Sequence, residues 1–141
     1  MKKVHTTNYF QTFIEIAEDC PADHGEIPRQ KGENRSIARL QYELVSKNPY
    51  HFTSDDVIFK VFAIRNDLAE PELEEARIAL FSKGQACLRS SPLTKRYGFG
   101  VHFNEEGKIA LVACETEEYE RFVNDPSVIK VKAMRNSRKK E

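Results

Sequence analysis

Residues 97–114 admit one antiparallel pairing. Two runs rich in β-branched and aromatic residues, 97–103 and 108–114, flank Asn104-Glu105-Glu106-Gly107. That linker suits a type I turn closed by Gly107 in the left-handed conformation. Pairing Asn104 with Lys108 sets Phe103 beside Ile109, Val101 beside Leu111 and Phe99 beside Ala113. One face of the hairpin then becomes wholly apolar, and a slip of one residue would scramble it. The opposite face presents Gly98, Gly100 and His102, with Cys114, Val112 and Ala110 across from them. An isolated hairpin is marginal in water, so the apolar face requires further strands and a cover.

The rest of the chain supplies both. Residues 9–17, YFQTFIEIA, read as a strand buried on at least one face. Residues 18–35 carry Pro21, Gly25, Pro28 and Gly32 with no surviving period, and form a long polar loop that is either functional or mobile. Three helices follow. Ser36 caps the first, whose stripe is Ile37, Leu40, Gln41, Leu44 and Val45, and Asn48-Pro49 stops it. The second opens at Thr53-Ser54-Asp55-Asp56, and its β-branched Val57, Ile58 and Val61 also allow a strand. The third has Pro71 in its first turn and Gly84 as its C′ residue. After the hairpin, Thr116 caps a short helix ended by Asp125-Pro126. Residues 128–134 form a last strand in which Lys130 and Lys132 suit an edge or a solvated face. The order β-ααα-ββ-α-β predicts an α+β fold in a single domain over residues 1–141, with about four mainly antiparallel strands and the helices packed on one face. Residues 135–141 are read as a basic, frayed tail.

Composition removes several classes of function. Lys+Arg and Asp+Glu are both 22, so bulk positive charge does not recruit nucleic acid, and no RNP-type motif or recognition helix supports a specific reader. No apolar run reaches membrane length, and the start lacks the apolar core of a signal peptide, so a cytoplasmic location without membrane contact is expected. The 3 cysteines, Cys20, Cys87 and Cys114, form no close pair and read as reduced thiols. Cys20 and His24 have no second pair at zinc spacing, so no metal and no cofactor is expected.

Charge is nevertheless segregated. Between Ser82 and Asn104 there is no acid, while Asp67, Glu70, Glu72, Glu74 and Glu75 crowd upstream. The acid-free stretch holds Lys83, Arg89, Lys95 and Arg96 with the hydroxyls of Ser90, Ser91 and Thr94. Guanidinium forks, ammonium charges and hydroxyls are the groups that hold phosphate or carboxylate. The competing reading is a solvated loop whose arginine pairs with the upstream glutamates. Gly98 and Gly100 leave a strip without side chains, which marks close approach of a ligand, of a second backbone, or a bulge. His102 stands at the end of that strip. Cys87 lies near Lys83 and Arg89, which would favour its thiolate, with His102 as a base, although a buried inert thiol is the simpler role.

The runs HTTNYFQTFIEIAEDCP, LQYELVSKNPYHFTSDDV, FSKGQACLRSSPLTKRYGFGVH and VKAMRNSRK resemble a family of small bacterial proteins of about this length, a domain of unknown function. The resemblance spans nearly the whole chain. It implies one domain with no second module, and it brings no activity, cofactor or catalytic residue.

Three functional expectations follow. The leading one is a small binding domain for an anionic ligand, a nucleotide or phosphorylated metabolite, held by Lys83, Arg89, Ser90, Ser91, Thr94, Lys95 and Arg96 beside Gly98, Gly100 and His102. The second is an enzyme using Cys87 or His102 in the same pocket. The third is an interaction or structural protein, such as a homodimer joined through residues 128–134 or through the amphipathic helices.

Overall fold

The computed structural model of the chain describes residues 4–30, 32 and 35–137. Its centre is a four-stranded sheet in the order β3-β2-β1-β4, built from β1 (Thr12–Glu15), β2 (Phe99–Phe103), β3 (Ile109–Ala113) and β4 (Ile129–Lys132). The β1–β2 and β2–β3 pairs are antiparallel, and β4 joins β1 in parallel. The hairpin takes the register its alternation dictates: Phe99 faces Ala113, Val101 faces Leu111 and Phe103 faces Ile109. Gly107 closes the turn at φ +80°, and Asn104 Oδ1 accepts from the amides of Glu106 and Lys108.

Alternation along the strands divides the sheet into two faces. Ile14, Val101, Phe103 and Ile109 share one face and pack with Leu40 and Val45 of α1 (Ile37–Ser46) and with Val57 and Val61 of α2 (Ser54–Arg65). Both helices start where their caps predict. Ser36 Oγ accepts from the Arg39 amide, and Thr53 and Asp56 form a reciprocal capping box. The capping box, with acids in the first turn, settles α2 as a helix despite its β-branched content. The next helix, α3 (Leu73–Phe81), packs on α2 and is entered through a 3-10 turn that holds Pro71. It closes at Ser82, one residue before the expected stop, and Gly84 does not adopt a positive φ.

Two expectations need revision. The acid-free segment is only partly a solvated loop: residues 88–95 fold into a 3-10 turn, Leu88–Ser90, and a one-turn helix, α4 (Pro92–Lys95), with Leu88, Leu93 and Thr94 buried, whereas residues 83–87 are irregular, with Lys83, Gly84 and Ala86 exposed. The helices also do not all share one face. The fifth, α5 (Glu117–Asn124), covers the other side, where Tyr119 and Phe122 pack on Phe13 and Val112. Its position follows from topology. β3 and β4 are opposite edges, so the segment joining them must cross the sheet, and the apolar Phe13 on that side needs a cover. β4 is an edge strand, as its lysines require, and Ile129 is 62% exposed on it.

Candidate functional site

The hydroxyls of the acid-free segment serve the fold. Ser91 Oγ accepts from the Leu93 amide at 3.1 Å, which starts α4, and donates to Gln41 Oε1 of α1 at 2.5 Å. Thr94 Oγ1 reaches the carbonyls of Leu88 and Ser91 at 2.9 and 3.1 Å. Both residues are buried, and both hydroxyls are taken up by partners within the protein. Ser90 stays exposed, and Lys83 projects from the end of α3. No ion pair among the described residues joins this segment to the upstream glutamates.

The glycine strip is filled by the protein itself. A side chain at Gly98, whose φ is +78°, would meet the His24 carbonyl oxygen at 2.3 Å. A side chain at Gly100 would strike the Phe13 ring at 2.6 Å and the Ile14 carbonyl at 2.9 Å. The close approach is therefore that of a second backbone and an aromatic ring. The described part of the 18–35 loop runs as a strap over this end of the sheet. It is tied by Glu26 N to Tyr97 O at 2.8 Å and buries Pro28 and Ala22. Residues 31, 33 and 34 of that loop lie outside the described residues.

The cations have a different destination. Arg89 Nε donates to the Lys132 carbonyl at 2.6 Å, and the Met134 amide donates to the Arg89 carbonyl at 2.7 Å. Asn136 bridges the same junction, donating from Nδ2 to Lys95 O at 2.8 Å and accepting from Arg96 Nε at 3.2 Å. The two basic runs of the sequence thus meet. They surround an open hollow of about 530 Å³ lined by Glu18, Arg89 and residues 132–137. Arg135 reaches Glu18 at 2.9 Å, and Lys132 lies 3.9 Å from the same carboxylate. Asp19 accepts from the amides of Asn136 and Ser137, which, with the Asn136 side chain and Arg135, hold its carboxyl down at about 2. Of the expected tail, Asn136 and Ser137 are hydrogen-bonded to Asp19 and Arg135 is paired with Glu18, whereas residues 138–141 lie outside the described residues.

A second and larger space, about 660 Å³, opens between α1, α2 and residues 85–92. Ile58, Val61, Phe62 and Leu80 give it apolar walls, and Gln41, Arg65, Gln85, Cys87 and Ser90 bring polar atoms. Neither Gln41 nor Arg65 stood out in the sequence as a site residue. Gln41 did carry a signal, because it is a polar residue on the core-facing stripe of α1, and such a residue must find partners.

Cys87 and His102 are not brought together. Cys87 Sγ lies 3.6 Å from the Tyr9 hydroxyl, on the side of the sheet that carries α1 and α2. The Tyr9 phenol is pushed up by burial first and then by the Cys87 contact. His102 is on the opposite face, stacked on Phe122 at 4.0 Å between ring centres, with Nδ1 2.8 Å from the Tyr50 hydroxyl. Burial lowers its pKa, against the upward pull of Glu118 and Asp125. Tyr50 holds that position from a left-handed backbone, φ 57°, so its placement is set by the fold at some strain. Cys114 is likewise pushed up by burial, away from the thiolate. Among the described residues no group of 3 or more His, Cys, Asp and Glu is placed to hold a metal ion, and no helix is long and apolar enough to cross a membrane.

No curated protein and no solved structure matches the chain. A family model does: residues 4–139 match the Family of unknown function (DUF6157), and the chain belongs to that family.

Proposed function

We propose that this member of the family is a binding domain for a small phosphate-bearing ligand, a nucleotide or phosphorylated metabolite, seated in the hollow between Arg89 and residues 132–137. One observation carries the reading. Two basic runs far apart in sequence are hydrogen-bonded to one another, so that Arg89, Lys132 and Arg135 line one hollow, with Arg96 tied to its rim through Asn136, and Glu18 is the one carboxylate among the described lining residues. Asp19 is occupied in holding backbone amides, and Glu18 is shared between two cations. A phosphate competing for Arg135 and Lys132 would exchange one carboxylate for a group of higher charge. Lys83, Ser91, Thr94, Gly98 and Gly100 have no part in this version of the site, and catalysis by Cys87 with His102 has no support in the arrangement.

The test is thermal melting with pyrophosphate and ATP as probes, on the parent protein and on Arg135→Gln. Arg135 is exposed, and its loss spares the Arg89–Lys132 junction. A probe held at 100 times its dissociation constant adds about 2.7 kcal/mol. That stabilisation should shrink in Arg135→Gln and with added salt. No shift with either probe, or an equal shift in the variant, refutes the reading.

A further inference from the structure

We infer that the groove between α1, α2 and residues 85–92 is a separate binding site, for a small carboxylate with an apolar body such as an acyl or aryl acid. The volume, about 660 Å³, is that of small-molecule sites, and most of its lining is aliphatic or aromatic. What selects the ligand is the polar remainder. Arg65 is the one charged side chain in the lining, no carboxylate lines the groove, and among the described residues Arg65 makes no ion pair.

Gln41 supplies the second, independent observation. It is 6% exposed. Ser91 Oγ accepts from the Leu93 amide and donates to Gln41 Oε1 at 2.5 Å, an orientation of the Gln41 amide that leaves Nε2 free of Ser91. The Gln41 Nε2 donors then have no acceptor among the described residues. Among the described residues no side-chain nitrogen or oxygen is fully enclosed without a partner, so this nitrogen keeps an opening, and Gln41 lines the groove. A buried amide left with unused donors calls for an acceptor. The groove thus offers donors and one positive charge at its polar positions and hydrocarbon elsewhere. A carboxylate answers the former and an acyl chain or ring the latter.

The site is distinct from the basic hollow. Arg89 lines the hollow, while its neighbours Leu88 and Ser90 line the groove, so the 3-10 turn divides the two. The inference does not depend on phosphate binding, and its failure is separable from failure there.

The experiment is isothermal titration calorimetry with decanoate and with decanamide, its neutral counterpart of nearly equal shape. The proteins are the parent, Arg65→Gln, Ser90→Trp and Arg135→Gln. Arg65 and Ser90 are exposed, so neither substitution removes core packing, and circular dichroism checks each fold. Decanoate should bind the parent saturably and more tightly than decanamide. Arg65→Gln should weaken decanoate by roughly tenfold or more, the effect of one charge-assisted hydrogen bond, and leave decanamide unchanged. Ser90→Trp, which places a large ring in the groove, should abolish both, and Arg135→Gln should alter neither. No saturable heat with decanoate at millimolar concentration overturns the inference. Equal affinity for acid and amide overturns its charge selection. Concentration-dependent dimerisation that Ser90→Trp removes would give the groove to a second copy of the chain and overturn it as well.

Discussion

The sharpest test of the packed stretch over residues 88–95 is Ser91→Ala. The hydroxyl does two jobs at once, capping α4 and saturating Gln41 Oε1, with both residues at least nine-tenths buried. Loss of an N-cap costs about 1 kcal/mol, and the low end applies because α4 is a single turn. Leaving a buried acceptor without its donor costs about 1–3 kcal/mol. The sum is about 2–3 kcal/mol, a melting shift of roughly 6–10 °C for a domain of this size. Urea denaturation followed by circular dichroism reads it as a lower midpoint at unchanged slope. A second substitution isolates the bond itself. With Gln41→Leu in place the orphaned oxygen is gone, so adding Ser91→Ala should cost about 1 kcal/mol less than it does alone, a coupling that double-mutant cycles resolve. If Ser91→Ala costs under about 0.5 kcal/mol, or if the two changes are simply additive, the hydroxyl is not structural and the segment must be read again as a presented loop.

Gly100→Ala places a methyl group 2.6 Å from Cζ of the fully buried Phe13 and 2.9 Å from a backbone carbonyl. Overpacking of that kind should destabilise by about 1–3 kcal/mol in urea titration, and an unchanged midpoint would mean the strip is open. His102 titrates below the ordinary histidine value because of burial, so its folded pKa lies under its unfolded value near 6.5. The sign follows from proton counting. As pH falls below about 6.5 the unfolded chain takes up the proton first, so stability is full above that value and declines until the folded pKa is passed. His24 carries the opposite shift, raised by Asp23, so the comparison must be made against His102→Phe. The ring variant keeps the stack on Phe122 and should flatten the loss of melting temperature between pH 6.5 and lower values. A parallel pH profile in parent and variant would sink the assignment.

Local rules made much of the fold legible. Ser36, Thr53 and Thr116 each cap the helix that follows, and alternation in residues 97–114 leaves one register. The helix-facing side of the sheet was legible for the same reason. The placement of α5 was not, because amphipathicity says which side of a helix is buried but not which face of a sheet buries it. The site was less legible still. Ser90, Ser91 and Thr94 look equivalent in sequence, yet a turn and a one-turn helix consume two of their hydroxyls and leave one exposed. Residues 18–35 have no period, so nothing local announces that His24 will lie over Gly98. Arg89 finds its partner in Lys132, and Asp19 finds Asn136, across separations of 43 and 117 residues that no window can span. The stripe of α1 contained the one overlooked clue, a glutamine among aliphatics.

The position of β1 has a consequence for how the chain reaches this state. It lies inside the sheet, hydrogen-bonded to β2 on one side and to β4 on the other, and both of those strands come from the far end of the sequence. During synthesis, at roughly 5–20 residues per second, β1 therefore emerges many seconds before either neighbour exists. α1, α2 and α3 can form early from local contacts, but they have no assembled sheet to pack on. Sheet closure must wait for long-range pairing, the slow class of folding event. In that interval Phe13 and Ile14, fully buried at the end, are the residues left uncovered and most prone to wrong association.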